Sequence, residues 1–239
     1  MKKKLLLYFS ILSLSSFSQT NVNINGEAAF DLSGKSVSIS SDGNVVAIGA
    51  YLNDGNGDRS GQVRVYENKN GVWTQLGADI NGEAIDDQSG ISVSLSSDGY
   101  ILAIGASGNN GDTKDYNQTS ICNYTNLDYG HVRVYKYSNN NWTQIGLDID
   151  GEAAGDRSGI SVSLSSHGNI VAIGAIGNKD NGLRSGHVRV YQNINGNWSQ
   201  IGQDIDGKAA GDMLGYSVSL SSDGSIVAMG AIITASSNS

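Results

Sequence analysis

The segment Gly151-Glu-Ala-Ala-Gly-Asp156, followed by the strand-like run Ile160-Ser-Val-Ser-Leu-Ser165, decides the fold because the chain repeats it. Related copies of the hexapeptide begin at Gly26, Gly82 and Gly207, and a Ser-Val-Ser run follows each of them. Self-similarity of this kind is typical of repeat architectures, in which each unit buries its apolar face against the next. The sequence therefore predicts a single array of repeated units.

Each complete unit contains four short segments with the alternation of apolar and polar residues expected of β-strands. In the third unit these segments are 160–165, 169–175, 187–191 and 198–202. The second segment is apolar throughout, as in Ile170-Val-Ala-Ile173, which predicts burial on both faces. Turns such as Asp42-Gly43 favour a tight hairpin between the first two strands. The predicted fold is all-β: a β-propeller of repeated four-stranded antiparallel blades, incomplete at about three and a half blades.

The copies of the hexapeptide also set the predicted domain boundaries. The repeat region is 19–239, and its units are about 26–81, 82–150, 151–206 and a partial unit at 207–239. The partial unit has only the first two strands, and an open array exposes apolar faces and unpaired strand edges. We therefore expect the chain either to be part of a longer protein or to cover these edges by self-association.

Residues 1–18 have the layout of a secretory signal peptide. Lysines at 2–4 precede an apolar run from Leu5 to Leu14, and small residues follow up to a predicted cleavage after Ser18. The run is shorter than the roughly 18 apolar residues that a membrane anchor needs. The sequence thus predicts a secreted or cell-surface protein whose mature chain does not insert into a membrane.

The charge balance argues against nucleic acid as a partner. The chain has 15 Lys and Arg against 23 Asp and Glu, a net charge of −8 at pH 7, and such a field repels phosphate backbones. Cys122 is the only cysteine, so an internal disulfide is excluded. Stability must therefore come from burial and hydrogen bonding.

Three short motifs follow one another in each complete unit. In the second unit they are Ser89-Gly90, Ile104-Gly-Ala106 and Gly130-His-Val-Arg-Val-Tyr135. Their order resembles the FG-GAP repeat of integrin-type β-propellers over nearly all of residues 26–231. The positions of the family's Phe hold Ser33, Ser89, Ser158 and Leu214, which indicates a divergent, bacterial-looking secreted branch. The resemblance implies a propeller of about six or seven blades, within the usual range for such folds.

Residues found in every complete unit are interpreted as structural, because a catalytic centre draws single residues from different places. The repeated aromatic residues are predicted to wedge between blades, with sugar stacking as the alternative: Trp73, Trp142, Trp198, Tyr66, Tyr135 and Tyr191. The repeated arginines are predicted to form ion pairs with the repeated aspartates: Arg64, Arg133 and Arg189 with Asp31, Asp87, Asp156 or Asp212. The glutamate of each Gly-Glu-Ala segment is interpreted as part of a connecting turn, since the fourth copy has Lys208.

No cofactor is predicted, and no zinc site is predicted from the spacing of the three histidines. His131 and His187 open equivalent strands, and His167 replaces a turn aspartate. No spacing typical of a nucleophile elbow or a phosphate-binding loop occurs. The sequence therefore predicts no catalytic residue.

Calcium is considered at one glycine-rich loop. Asp54, Asn56 and Asp58 alternate there like the first half of an oxygen-ligand loop. The twelfth position, counted from Asp54, is Val65 instead of the bidentate glutamate of an EF-hand. A weak calcium site and a solvated turn remain the two readings.

One connection breaks the repeat. Between the second and third strands the second unit has residues 107–129, where the other complete units have the shorter segments 51–60 and 176–185. Long loops on a rigid scaffold are common binding sites, and tyrosine with asparagine and serine is adaptable contact chemistry. The candidate ligand-binding residues are Asp112, Asp115, Tyr116, Tyr124, Asp128 and Tyr129. A tolerated insertion without function is the alternative.

The sequence therefore predicts a non-catalytic binding or adhesion module whose ligand is an extracellular protein or a glycan. One alternative is a propeller-type glycan hydrolase or lyase that uses the non-repeated carboxylates of the insertion. Another is a purely structural repeat region of a larger exported protein.

Overall fold

The structure, a computed structural model, describes residues 23–110 and 127–232. In these ranges all regular structure is β-strand, arranged in antiparallel sheets that repeat along the chain and do not close into a barrel. The strands are β1 Ser36–Ile39, β2 Val45–Ala50, β3 Gln62–Lys69, β4 Val72–Gln75, β5 Ile80–Asn81, β6 Ser89–Leu95, β7 Ile101–Ala106, β8 His131–Ser138, β9 Asn141–Gln144, β10 Ile149–Asp150, β11 Ser158–Leu164, β12 Ile170–Ala175, β13 His187–Ile194, β14 Asn197–Gln200, β15 Ile205–Asp206, β16 Ser217–Leu220 and β17 Val227–Gly230. The predicted all-β array of incomplete propeller blades is confirmed. Within the described ranges, no helix has the length and apolarity that crossing a bilayer requires.

We call β1–β5 blade 1, β6–β10 blade 2, β11–β15 blade 3 and β16–β17 blade 4. In blades 1 to 3 the first three strands pair in chain order, and the last two strands both pair with the third. The single fourth strand predicted at 198–202 is therefore split into β14 and β15. Gly202 lies between these two strands with a φ of 79°, a left-handed conformation that turns the chain out of the extended form.

Side chains build the tight turn between the first two strands of each blade. In blade 1, Asp42 Oδ1 accepts a hydrogen bond of 2.6 Å from Ser40 Oγ, and Gly43 has a φ of 75°. Hydrogen bonds to the charged carboxylate, first among them that from Ser40, hold the pKa of Asp42 at about 2. His167 replaces the aspartate in blade 3, and Gly168 still turns the chain with a φ of 67°. The predicted hairpin turns are confirmed.

The apolar core lies between blades and not inside any one of them. One cluster joins blades 1 and 2 and another joins blades 2 and 3. Members of the first cluster include Val63, Val65, Leu102 and Ile104, and members of the second include Val132, Val134, Val171 and Ile173. Burying each such side chain contributes roughly 1.5 to 3 kcal/mol. The predicted burial of the second strands on both faces is confirmed in β7 and β12.

The Ser-Val-Ser run of each first strand bonds its blade to the next blade. Ser92 Oγ donates to Gly159 O at 2.8 Å, and Ser94 Oγ accepts from Leu164 N at 2.9 Å. The equivalent bonds at the other two junctions are Ser36 to Gly90, Leu95 to Ser38, Ser161 to Gly215 and Leu220 to Ser163. We call this pair of bonds the serine junction. It holds the first strands of successive blades against one another.

Ser92→Ala is expected to destabilise the protein by about 1 kcal/mol, because Gly159 O loses a hydrogen bond at a half-buried site. The melting temperature should fall by roughly 2 to 4 °C. Ser217→Ala is the matched control, since Ser217 holds the same position in blade 4 and the described residues place no following blade beside it. Calorimetric melting of both variants checks this expectation. Equal falls in melting temperature for the two variants would show that the serine junction does not stabilise the protein.

Candidate functional site

The arginine of each third strand contacts the segment that precedes its blade. Arg133 Nη2 donates to Asn81 O at 3.2 Å, and Arg133 Nη1 lies 3.2 Å from Glu83 Oε1. The guanidinium also lies over the Tyr135 ring, 5.8 Å from its centroid, in a cation–π contact. The same pairing recurs for Arg64 with Glu27 at 3.7 Å and for Arg189 with Glu152 at 3.4 Å. The predicted pairing of these arginines with the repeated aspartates is wrong.

The repeated aspartate instead closes the turn that contains the glutamate. In the second copy, Asp87 Oδ2 accepts from Glu83 N at 3.0 Å and from Ala84 N at 2.8 Å, and Oδ1 accepts from Asn109 Nδ2 at 3.1 Å. Burial raises the pKa of Asp87, and these hydrogen bonds oppose the rise. Both carboxylate oxygens are thus used by local donors, which leaves the glutamate as the ion-pair partner of Arg133.

The tryptophans of blades 2 and 3 wedge against the preceding blade, as predicted. Trp142 Nε1 donates to Leu76 O at 2.7 Å, and Trp198 Nε1 donates to Ile145 O at 2.9 Å. Both carbonyls lie at the break between the last two strands of the preceding blade. Trp142 is 7% exposed and belongs to the core between blades 1 and 2. The indole of the next blade therefore bonds to the chain at the break between the last two strands.

Two histidines are buried at the starts of third strands. His187 is 0% exposed, and its Nδ1 lies 3.9 Å from both Glu152 Oε2 and Asp204 Oδ2. These distances exceed a hydrogen bond, and neither ring nitrogen has a hydrogen-bond partner among the described residues. Burial and then the Arg189 charge lower the pKa of His187, while Asp204 opposes the shift. Burial therefore favours the neutral form of the imidazole.

His131 has a similar setting in blade 2. Its Nδ1 lies 3.4 Å from Asp148 Oδ2, and burial followed by the Arg133 charge lowers its pKa to about 4. Ligand-type atoms lie within 4.8 Å of one another in two groups: Glu152, Asp180, His187 and Asp204, and Glu83, His131 and Asp148. Imidazole nitrogen and carboxylate oxygen are cation donors. The spacing of the histidines predicts no zinc site, and in the structure carboxylates from distant segments lie near both rings.

Blade 1 shows the same position without a histidine. Gln62, 3% exposed, stands at the start of β3 and donates to Asp79 Oδ2 at 3.3 Å and to Asn81 Oδ1 at 3.2 Å. The Gln62 amide thus donates directly to the Asp79 carboxylate, and no cation is needed to pair these two groups. The alignment of Gln62 with His131 and His187, and of Asp79 with the aspartates beside them, is the sequence signal that could have revealed the two groups.

The glycine-rich loop of blade 1 uses its polar side chains for hydrogen bonds. Asp54 Oδ1 accepts from Arg59 N at 2.8 Å, and Asn56 Nδ2 donates to Gly82 O at 2.8 Å. Asp58 is exposed. These hydrogen bonds join residues within the loop and connect the loop to the next turn. Calcium binding at Asp54, Asn56 and Asp58 stays a prediction.

Only the base of the predicted ligand-binding insertion lies in the described residues. Asp128 O accepts from Arg157 N and Tyr129 O accepts from Ser158 N, both at 2.9 Å. Burial raises the pKa of Asp128, and the Arg157 charge opposes this rise. The other candidates lie outside the described residues: Asp112, Asp115, Tyr116 and Tyr124.

The repeats match a known family. The sequence model of the FG-GAP repeat matches residues 25–66 and 148–191. The chain carries FG-GAP repeats in these two segments. The two matched segments cover equivalent parts of blades 1 and 3, and each ends at the tyrosine of the third strand. The resemblance stated from the motif order is confirmed.

Two solved structures are similar to this chain. A protein from Bacteroides uniformis, provisionally named a 6-phosphogluconolactonase, matches with a TM-score of 0.51 and 12% identity over 81% of this chain and 46% of that chain. Kuenenia stuttgartiensis hydrazine synthase matches with a TM-score of 0.48 and 15% identity over 83% and 58%. No curated protein matches. The chain spans about half the length of these solved structures. The match to the Bacteroides uniformis protein, at 12% identity, shows the fold alone.

The glycine in the "GA" half of the FG-GAP signature has a steric role at the blade junction. A Cβ added at Gly105 of β7 would collide with Gly159 O in blade 3, and one at Gly49 would collide with Gly90 O in blade 2. Gly174 has the same relation to Gly215 O. The second strand of each of blades 1 to 3 can therefore approach the next blade only where no side chain intervenes.

Proposed function

We propose that this FG-GAP repeat chain is a secreted or cell-surface binding module that recognises an extracellular protein or glycan and has no chemistry of its own. The observation that supports it is the anchoring of the insertion at 107–129. Gly130 N donates to Asn109 O at 2.9 Å, so the two ends of the insertion are bonded to each other. Backbone bonds to Arg157 and Ser158 join the same base to blade 3. A long segment on a fixed base is a common place for ligand contact.

The composition of the insertion fits this role. Its aspartates and tyrosines supply hydrogen-bonding groups and flat apolar surface, which suit both peptide and sugar ligands. The proposed contact residues are Asp112, Asp115, Tyr116, Tyr124, Asp128 and Tyr129. Export is proposed from residues 1–18, which lie outside the described residues.

Replacing residues 107–129 with the 176–185 segment of blade 3, which keeps a glycine at the position of Gly108, is expected to abolish ligand binding and to leave the melting temperature nearly unchanged. Blades 1 and 3 form the same sheet with the short connection, so blade 2 should fold with it. Binding is measured on a glycan array and on a panel of immobilised extracellular matrix proteins. We expect saturable binding by the natural chain and at least a tenfold loss in the variant, about 1.4 kcal/mol.

Exchanging segment 51–60 for segment 176–185 is the matched control, because it changes a loop of the same type in blade 1 and leaves the insertion intact. This control should bind like the natural chain. Full binding by the short-loop variant would contradict the proposal. Turnover of a polysaccharide that is lost in Asp128→Asn would favour a glycan hydrolase or lyase instead.

A further inference from the structure

The His187 side chain is an exception to the rule that buried polar groups are paired. Within the described residues neither of its ring nitrogens has a hydrogen-bond partner, and the residue is 0% exposed. Leaving a buried polar group unpaired destabilises the folded protein. Such a side chain calls for a partner that the protein chain does not supply.

The surroundings of His187 define the charge of that partner. Nδ1 faces Glu152 Oε2 and Asp204 Oδ2, each at 3.9 Å, and Asp180 places a third carboxylate oxygen within 4.8 Å of the other ligand atoms. Arg189 is the nearby cation, and its Nη1 lies 3.4 Å from the other oxygen of Glu152. Three carboxylates against one guanidinium leave an excess of negative charge at this point, which a divalent cation offsets.

The remaining oxygens are held in place by neighbours. Gln200 Nε2 donates to Asp204 Oδ1 at 2.5 Å, which leaves Oδ2 directed at His187. Glu152 divides its two oxygens between Arg189 and His187 in the same way. Supporting hydrogen bonds that orient ligand oxygens are a usual feature of metal sites.

We propose that a divalent transition-metal cation, with Zn²⁺ as the probe, binds here through four ligands: Glu152, Asp180, His187 and Asp204. Zinc bonds of about 2.0 to 2.2 Å separate neighbouring ligand atoms by about 3 to 4 Å, close to the distances from His187 Nδ1. The imidazole favours a zinc-type cation over calcium, which takes oxygen ligands. This site is separate from the insertion and independent of the proposed ligand-binding role.

The three blades supply the test. His187→Gln reproduces the Gln62 of blade 1, which is buried and hydrogen-bonded to its aspartate, so the variant should fold. His131→Gln makes the same change at the group that has only three donors. Full-length protein is freed of metal with a chelator and titrated with Zn²⁺ by calorimetry. The tightest binding step should weaken at least tenfold in His187→Gln and stay within twofold in His131→Gln.

Asp180→Asn adds a variant that does not depend on a buried side chain. Asp180 is exposed, so its replacement should leave the fold intact while Zn²⁺ affinity falls severalfold. Co²⁺ in place of Zn²⁺ should give visible absorption bands that disappear in His187→Gln. The proposal is overturned if the natural chain binds no Zn²⁺ up to 1 mM, or if His187→Gln binds it as tightly as the natural chain.

Discussion

Gly105→Ala is expected to lower the free energy of unfolding by about 3 kcal/mol or more and the melting temperature by roughly 10 °C. The added Cβ would collide with the Gly159 carbonyl of blade 3, and this contact is with backbone, which cannot rotate away. Relief requires blades 2 and 3 to separate, which strains the bond from Ser92 to Gly159 and loosens the core between the blades. Urea unfolding followed by tryptophan fluorescence measures the effect.

Gly230→Ala is the control for this substitution. Gly230 holds the equivalent position in β17, but the nearest atom to its added Cβ is Ser217 Oγ at 2.5 Å, a side-chain atom that can rotate. The control should cost less than about 1 kcal/mol. A Gly105→Ala variant as stable as Gly230→Ala would mean that the blades do not approach as closely as the structure shows.

Trp142→Ala is expected to cost about 3 to 5 kcal/mol, the usual range for removing a buried aromatic side chain. The variant leaves a cavity in the core between blades 1 and 2, and Leu76 O loses the indole donor at 2.7 Å. Tyr137, whose ring centroid lies 5.2 Å from that of Trp142, loses a packing partner as well. Calorimetry should show a fall in melting temperature of roughly 10 °C.

Trp73→Ala tests whether the wedge, and not tryptophan as such, provides this stability. Trp73 occupies the same position in blade 1, where it is half-buried, and the described residues place no preceding blade beside it. Its loss should cost about 1 kcal/mol. Equal destabilisation by the two substitutions would show that the indole stabilises its own sheet instead of the junction.

The repeat made the fold predictable. The copies of the Gly-Glu-Ala segment, the apolar second strands and the Asp-Gly turns each point to short antiparallel strands in stacked units, and the structure contains them. The wedging of Trp142 and Trp198 followed from the same logic, since a residue required in every unit is a packing residue. The repeat of apolar residues shows which positions are buried, and the burial of these positions determines most of the fold.

Partners in hydrogen bonds and ion pairs were less predictable, because two positions with the same period are equally good candidates. Arg133 forms its ion pair with Glu83 and not with Asp87, because backbone N–H groups and the Asn109 side chain already donate hydrogen bonds to the Asp87 carboxylate. Alternation alone assigns no partner to the serines of the first strands, yet in blades 1 to 3 both serines of the Ser-Val-Ser run bond to the next blade. Such choices depend on distances between segments, which periodicity does not contain.

The candidate cation site escaped the sequence for the same reason. Its ligands come from a turn, a loop, a strand start and the approach to the last strand, at positions 152, 180, 187 and 204. No short motif joins these positions. The third unit differs from the first there by a histidine in place of Gln62 and an aspartate in place of Gly55. Aligned repeats show both differences, but not that the two positions lie close together in the fold.

The serine junction has a direction. The serine hydroxyls always belong to the earlier blade in the chain, and the backbone carbonyl and amide that they bond belong to the following blade. A blade can therefore follow any other copy in the same orientation, and the contact does not depend on its place in the series. Duplication of one whole unit creates a working contact without compensating change. The Ser-Val-Ser run is accordingly present in every unit, including the second, with its insertion at 107–129, and the fourth, with Lys208.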